Sequence, residues 1–332
     1  MNVALIGYGY WGINLARNVV QNSKMTLKYI VDTNKSRIDL AQKTYSGVSV
    51  IAEFDVVLKD PNIDAIIIAT NPASHYELAK KSLQNGKHTL VEKPMVTEMT
   101  QAEDLHEIAE KNKLTLMVDH TFMYNGVVRK MKQIIDSDDI GDVKYIDATR
   151  INLGIFQNDI NVLWDLATHD LSIVHFLMGS LPNTVSAIGK CHIKPNIENI
   201  AYLILQYDND VIVHIHSSWM SPVKIRKMLI GGDKKMIVYD DIEPTEKLKI
   251  YDSSIILNNE NREQLLVDYR IGDVFVPKYN TQEPLALMIQ DFEQSIITNR
   301  KPLSDLQSSI NVIKILKAAQ ASILHKGREI QL

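Results

Sequence analysis

Val3-Ala4-Leu5-Ile6 runs directly into Gly7-Tyr8-Gly9-Tyr10-Trp11-Gly12, and a helical pattern follows from Trp11 to Val20. Few folds begin with a strand, a glycine turn and a helix in that order. Gly7 permits the tight turn, Gly9 lets backbone approach a pyrophosphate, and Gly12 lets the helix pack close to the strand. The N-terminus of the helix, with Tyr10 and Trp11, then faces the phosphates. Asp32 ends the next strand 20 residues after Gly12, where an acidic side chain reaches a ribose 2′-hydroxyl and disfavours a 2′-phosphate. The spacing predicts a dinucleotide site that takes NAD in preference to NADP, a preference that Lys35 and Arg37 soften. An ordinary glycine turn is the alternative for the hexapeptide alone.

The rhythm continues over residues 1–120. Strand candidates are Val3–Ile6, Leu27–Val31, Ala65–Ala69, His88–Val91 and Leu114–Val118, separated by helix-like Lys35–Thr44, Ala73–Gln84 and Thr97–Asn112. Apolar strands alternating with helices predict βαβ units and a doubly wound parallel sheet covered on both faces. After residue 120 the order changes. Helices at 125–135 and 162–178 bracket a strand at 143–151, and strands then follow in succession at 201–207, 211–219, 224–230 and 235–239. Asp208-Asn209-Asp210 and Gly231-Gly232-Asp233 are turn clusters of the kind that close hairpins. The tail returns to helix at 284–298 and 304–324, broken by Arg300-Lys301-Pro302. The expected architecture is an N-terminal Rossmann domain over 1–120 and an α+β domain with a mainly antiparallel sheet over 121–332. The second would bind substrate and mediate oligomerisation, its last helices packing back on the first, with a cleft shared by the two.

Composition limits the alternatives. The 332 residues are 45% hydrophobic and 23% charged, with 36 basic against 40 acidic side chains and a formal charge of −4. No block of one sign offers a footprint for nucleic acid or anionic membrane, and no apolar run approaches the ~20 residues of a membrane span. The passage from Asn2 into Val3–Ile6 reads as a structural strand and not as a cleaved signal. The single cysteine, Cys191, cannot form an internal disulfide and is expected to pack as a small apolar residue. A cytoplasmic protein is the expectation.

Three further clusters carry chemistry. Ala69-Thr70-Asn71-Pro72, with His75 inside the next helix, lies at the carboxyl end of a predicted strand, the edge where doubly wound sheets bind ligands; the same run also suits a plain strand-to-helix turn. Glu92-Lys93-Pro94 follows another strand, and the proline biases Lys93 toward extended backbone. The lysine would project from the strand end, suited to proton relay or to a hydrogen bond with a reacting hydroxyl, or it is an exposed loop lysine. In Trp164-Asp165-Leu166-Ala167-Thr168-His169-Asp170-Leu171, helical spacing puts Asp165, His169 and Ser172 on one face. No Lys, Arg or Glu occurs between Val162 and Met178, so a mostly buried helix with a polar stripe lining a cavity is expected. Asp165 would orient His169 as a general acid/base; a satisfied core histidine is the alternative. His214 and His216 alternate onto one strand face without further ligands at metal spacing, so no metal site is expected.

Together, the glycine hexapeptide, Ala-Thr-Asn-Pro with His75, Glu92-Lys93-Pro94 and Asp165-xxx-His169 resemble, in order and spacing, the Gfo/Idh/MocA family of NAD(P)-dependent sugar and cyclitol dehydrogenases. The resemblance runs over nearly the whole chain, including Gly141-Asp142-Val143 and Pro302-Leu303-Ser304-Asp305. It implies that Lys93, Asp165 and His169 are catalytic and line the substrate cleft. It implies further that Gly7, Gly9, Tyr10, Trp11, Gly12, Asp32, Thr70, Asn71, Pro72, His75, Glu92 and Lys93 hold the cofactor, Glu92 near the nicotinamide ribose. Tyr124, Arg150 and Asn152 become candidate substrate contacts. The wording Trp-Asp-Leu-Ala-Thr-His-Asp-Leu is similar to members that oxidise the 3-hydroxyl of a UDP-linked N-acetylated hexose, whose 3-keto product serves surface polysaccharide synthesis. A cyclitol or free-sugar dehydrogenase, or a keto-sugar reductase, is the second reading and a non-catalytic NAD sensor the third. The implied partners are a small-molecule substrate, a nucleotide sugar in the first reading, and further copies of the chain in a dimer or tetramer.

Overall fold

In the computed structural model, which describes residues 1–154, 156–157, 160–258 and 266–332, the chain divides into two units. The first comprises Met1–Tyr124 with Gln282–Ile313, and the second Asn125–Thr281 with Lys314–Leu332.

The first unit holds a parallel six-stranded sheet of β1 (Asn2–Ile6), β2 (Thr26–Val31), β3 (Ser49–Ile51), β4 (Ala65–Ile68), β5 (His88–Val91) and β6 (Leu116–Val118). Its spatial order is β3-β2-β1-β4-β5-β6, that of a dinucleotide-binding doubly wound sheet. Between the strands run α1 (Tyr10–Gln21), α2 (Lys35–Thr44), α3 (Phe54–Lys59), α4 (Pro72–Gln84) and α5 (Met99–Asn112). Val3, Ala4 and Leu5 of β1 and all of Ala65–Ile68 of β4 are fully buried, which is why these central strands read as unbroken apolar runs. β3 and α3 are absent from the expected elements because they carry too few residues for a periodic signal. The order reverses between β1 and β4, so the loops that follow those two strands meet at the switch point where such sheets take ligands.

The second unit begins with α6 (Gly126–Asp136) and β7 (Val143–Leu153). The helix expected over 162–178 is instead a π-helical turn, Leu163–Ala167, that continues as α7 (Thr168–Met178). The following strands are β8 (Thr184–Lys190), β9 (Ile200–Gln206), β10 (Ile212–Ser218), β11 (Met220–Gly232), β12 (Met236–Asp240), β13 (Leu248–Asn258) and β14 (Leu266–Phe275). After α8 (Pro284–Thr298) and α9 (Leu306–Leu324), β15 (Ile330–Gln331) completes a nine-stranded sheet in the order β14-β13-β12-β11-β7-β10-β9-β8-β15. Every pairing in it is antiparallel except that of β10 with β7, so the mainly antiparallel sheet is present, four strands wider than the sequence suggested. Tyr207 N–H donates to Val211 carbonyl across the Asp208-Asn209-Asp210 turn, the hairpin closure that cluster predicts.

α8 and the first part of α9 belong to the first unit. Ser304 Oγ donates to Val118 carbonyl at 2.7 Å, and Met117 bridges Asp305 in antiparallel fashion. The Pro302-Leu303-Ser304-Asp305 run thus covers the free edge of β6, an edge that would otherwise expose unpaired backbone groups.

Candidate active site

The glycine turn is built as its residue types require. Gly7 has φ +92°, and a Cβ there would lie 2.6 Å from Ala69 carbonyl oxygen; at Gly12 a Cβ would lie 2.0 Å from Gly7 oxygen. Both are glycine because the chain itself fills the space. Gly9 is different, since a Cβ there would meet nothing within 4 Å. Helix α1 has no side-chain cap at Gly9 and no acidic residue in its first turn, so its leading N–H groups are left for an external acceptor. Open room, uncapped N–H groups and the positive end of the helix dipole fit a pyrophosphate. Tyr10 and Trp11 flank it, 75% and 45% exposed. Asp32 Oδ2 accepts Tyr8 N–H at 2.7 Å and Oδ1 accepts Asn34 N–H at 2.8 Å. The carboxylate is pinned at the end of β2 beside the turn and keeps lone pairs for a ribose hydroxyl.

At the ends of β4 and β5 the predicted residues divide into two kinds. Thr70, Asn71 and Pro72 stand at the partly exposed start of α4, which also lacks a side-chain cap. His75 does not join them at the surface. It is 1% exposed, with Nδ1 2.8 Å from Pro94 oxygen and Nε2 3.1 Å from Thr70 oxygen. Burial pushes its pKa down, and the ring braces the loop after β4 against the loop after β5. Glu92 is also buried, at 7% exposure. From Thr89 to Val96 only Lys93 reaches solvent, and its backbone N–H donates to Glu92 Oε2 at 3.2 Å. A single lysine emerging from a buried strand end is not the pattern of an ordinary surface loop.

On the second unit, Asn161 to Val174 is buried except at Asp165 and His169. The polar stripe expected here is otherwise consumed internally: Thr168 Oγ1 donates to Trp164 oxygen at 2.7 Å, and Ser172 Oγ to His169 oxygen at 2.7 Å. Asn161 Oδ1 accepts the N–H groups of Leu163 and Trp164 at 3.2 and 3.3 Å, anchoring the π-helical turn that carries Asp165. Such turns occur frequently at functional sites. Asp165 Oδ2 accepts the indole N–H of Trp219 at 2.9 Å. Trp219, 1% exposed, was missed by sequence reasoning; its place after β10, 54 positions away, gives no local signal. Phe156 packs edge-on to it with ring centroids 5.6 Å apart, and a Cβ on Gly154 would meet Trp219 Cδ1 at 2.9 Å and Asn152 Nδ2 at 3.0 Å. Partly exposed Asn152 therefore neighbours the Trp219–Asp165 pair.

Two of the candidate substrate contacts lie inside the protein. Arg150, 2% exposed, donates Nε to Asp170 Oδ2 and Nη2 to Asp170 Oδ1, both at 2.8 Å. Tyr124, also 2% exposed, donates to Asp291 Oδ2 at 2.7 Å and accepts Ser304 N–H at 3.1 Å. Both side chains spend their polar groups on the fold. Cys191, expected to be packed, is exposed in the loop after β8, and partial burial and Glu198 raise its thiol pKa, which disfavours a nucleophilic thiolate. His214 Nδ1–H donates to Asp147 Oδ1 at 2.7 Å, and His216 stacks on Tyr202 with ring centroids 4.4 Å apart. Among the described residues no group of three or more His, Cys, Asp or Glu is arranged to hold a metal ion, and no helix is long and apolar enough to cross a membrane.

Residues 1–120 match a family model described as an oxidoreductase family, NAD-binding Rossmann fold, and residues 128–238 match the GFO/IDH/MocA C-terminal domain. The chain is 23% identical to scyllo-inositol 2-dehydrogenase (NAD(+)) of Bacillus subtilis (strain 168), over 93% of this chain and 90% of that one. It is 26% identical to UDP-N-acetylglucosamine 3-dehydrogenase of Acidithiobacillus ferrooxidans, over 76% of this chain and 77% of that one. The solved structure of the latter superposes with a TM-score of 0.80 at 23% identity, covering 97% of both chains. GenD2 from gentamicin A biosynthesis, solved in complex with NAD, superposes with a TM-score of 0.83 at 18% identity, covering 100% of this chain and 96% of that one.

Proposed function

The chain belongs to the Gfo/Idh/MocA oxidoreductase family, and from that premise we propose that it oxidises the 3-hydroxyl of a UDP-linked N-acetylated hexose to a ketone. The observation that carries the reading is the selective exposure of three side chains on otherwise buried segments, Lys93 at the end of β5 and Asp165 and His169 on the π-helical turn and α7. An acid/base set is the chemistry an alcohol dehydrogenation requires of its protein.

Bound NAD+ supplies the hydride acceptor. The uncapped start of α1 and Gly9 bind its pyrophosphate, Asp32 its adenosine ribose, and the partly exposed start of α4 a further part of the molecule. His169 takes the hydroxyl proton, Asp165 orients the imidazole with its own position fixed by Trp219, and Lys93 donates a hydrogen bond to the reacting oxygen. Asn152 contacts the sugar; Arg150 and Tyr124 act through the fold. The choice of substrate is supported by the 26% identity to the Acidithiobacillus enzyme and by the wording around Asp165. A 3-keto product suits transamination on the way to surface polysaccharide, in the cytoplasm where the nucleotide-linked precursor is made.

A cyclitol substrate is the second reading, favoured by the longer match to the Bacillus inositol dehydrogenase. Turnover followed by NADH absorbance with NAD+ separates the two: UDP-N-acetylhexoses active and inositols inactive supports the proposal, whereas the reverse pattern replaces it. NAD binding with no turnover on either class would make the protein a sensor.

The open face of the nine-stranded sheet supports a homo-oligomer. Ile188, Tyr202 and His216 lie opposite one another across β8, β9 and β10, and Ile212 lies opposite Tyr145 across β10 and β7. Ile188, Tyr202, Ile212 and Tyr145 are between 37% and 57% exposed. A partner subunit would cover this face, and light scattering that returns a monomer at micromolar concentration would refute it.

A further inference from the structure

β5 and β6 are paired in parallel with Val91 opposite Val118, and each strand ends one residue later in an acid, Glu92 and Asp119. Asp119 N–H donates to Val91 carbonyl at 2.8 Å, so the ladder continues to the position where the two carboxyls stand side by side. Both are buried, 7% and 3% exposed. Each has one satisfied oxygen: Glu92 Oε2 accepts Lys93 N–H, and Asp119 Oδ1 accepts the N–H and hydroxyl of Thr121. The other two, Glu92 Oε1 and Asp119 Oδ2, are buried and receive no N–H or O–H donor among the described residues. Two ionised carboxylates in contact away from water, each with an acceptor left empty, would be strongly unfavourable.

We propose that Glu92 and Asp119 share one proton, held in a hydrogen bond between their facing oxygens, and that Asp119 is thereby a positioning residue for Lys93. The bond ties the end of β6 to the end of β5, and Glu92 passes the constraint to Lys93 through the backbone N–H that it accepts. The role assigned to Lys93 rests on the proposed function; the shared proton does not. Burial first and then the neighbouring acid raise the pKa of Glu92, and burial raises that of Asp119 against the hydrogen bonds from Thr121. Lys93 is the charged group that favours ionisation of both, and its effect is the smaller one. The pair behaves as a coupled acid whose proton belongs to neither residue alone, and it carries one negative charge beside Lys93 where two acids are written in the sequence.

Infrared spectroscopy of the ligand-free full chain tests the proton directly. At neutral pH the wild type should show a buried carboxylic acid C=O stretch that disappears in both Glu92→Gln and Asp119→Asn, because either amide supplies the donor and leaves its partner ionised. Absence of the band in the wild type, or its persistence in either variant, overturns the shared proton. Positioning is read separately in turnover. Asp119→Ala should lower kcat about tenfold, the scale of a small displacement at a reacting group, and Asp119→Asn should recover most of that loss. Equal losses in the two variants overturn the positioning role. If Lys93→Ala retains wild-type turnover, the proposed reaction fails and the positioning role with it, while the infrared result still decides the proton.

Discussion

The indole N–H of Trp219 donates to Asp165 Oδ2 at 2.9 Å, joining the junction of β10 and β11 to the π-helical turn. The aspartate beside the proposed base is therefore held from behind by a fully buried ring. Trp219→Phe keeps most of the ring packing and removes the donor. A hydrogen bond to a charged group contributes about 1.5–3 kcal/mol, so kcat should fall by about tenfold or more while the dissociation constant for NAD+ stays unchanged. Paired steady-state kinetics and calorimetric titration check both halves of the prediction.

Lys93→Ala and His169→Ala should each lower kcat by ~10²-fold or more, the usual scale for a lost acid/base group. Single-turnover measurements with saturating NAD+ isolate the chemical step. Near wild-type rates in both variants would remove these residues from the mechanism.

The glycine turn allows binding to be separated from folding. A Cβ at Gly12 collides with Gly7 oxygen, whereas one at Gly9 enters open space. Gly12→Ala should cost about 1–3 kcal/mol of stability by overpacking. Gly9→Ala should unfold at the wild-type temperature and yet bind NAD+ about tenfold more weakly or worse, since the methyl group takes room assigned to the pyrophosphate. Thermal unfolding with and without NAD+ distinguishes the two effects.

Two arginine pairs should differ sharply. Removing Arg150 leaves the Asp170 carboxylate buried without its guanidinium, a loss of about 3–5 kcal/mol. Arg17 and Glu283 make a contact at 2.6 Å, shorter than the 2.8 Å of the Arg150 pair, but their side chains are 42% and 40% exposed, and Arg17→Ala should cost no more than about 1 kcal/mol. Urea unfolding of both variants measures the contrast.

The buried acids also impose a direction on stability against pH. The Glu92–Asp119 pair holds its proton more tightly in the folded chain than in the unfolded one. Its contribution is therefore full below the ordinary carboxylate range of about 4 and is lost as pH rises through the raised value. Glu92→Gln should flatten the decline of the melting temperature as pH rises from about 4 through the raised value, relative to wild type. An unchanged slope would mean that the carboxyl is ionised throughout.

Local chemistry explains what is legible in the sequence. The glycine turn, the apolar runs of β1 and β4 and the hairpin at Asp208-Asn209-Asp210 each follow from steric or burial rules acting within a few residues. The same locality allowed Lys93, Asp165 and His169 to be singled out. It also produced the errors. Helical spacing put Ser172 on a cavity wall, but its hydroxyl turns back to the His169 carbonyl of its own helix, as short polar side chains do when no outside partner is offered. Cys191 was assigned to the interior on residue type alone and lies exposed.

By itself, the sequence determined the Rossmann half and its preference for NAD, and it named the groups proposed to move a proton, because those properties reside in neighbouring residues and their spacing. Only the tertiary structure decided which polar groups remain available. Arg150 meets Asp170 across 20 positions, Trp219 meets Asp165 across 54, and Glu92 meets Asp119 only because β5 pairs with β6. Burial makes each of these partnerships obligatory, since a polar group removed from water must find its hydrogen bond within the protein, and no rule of short-range spacing names the partner.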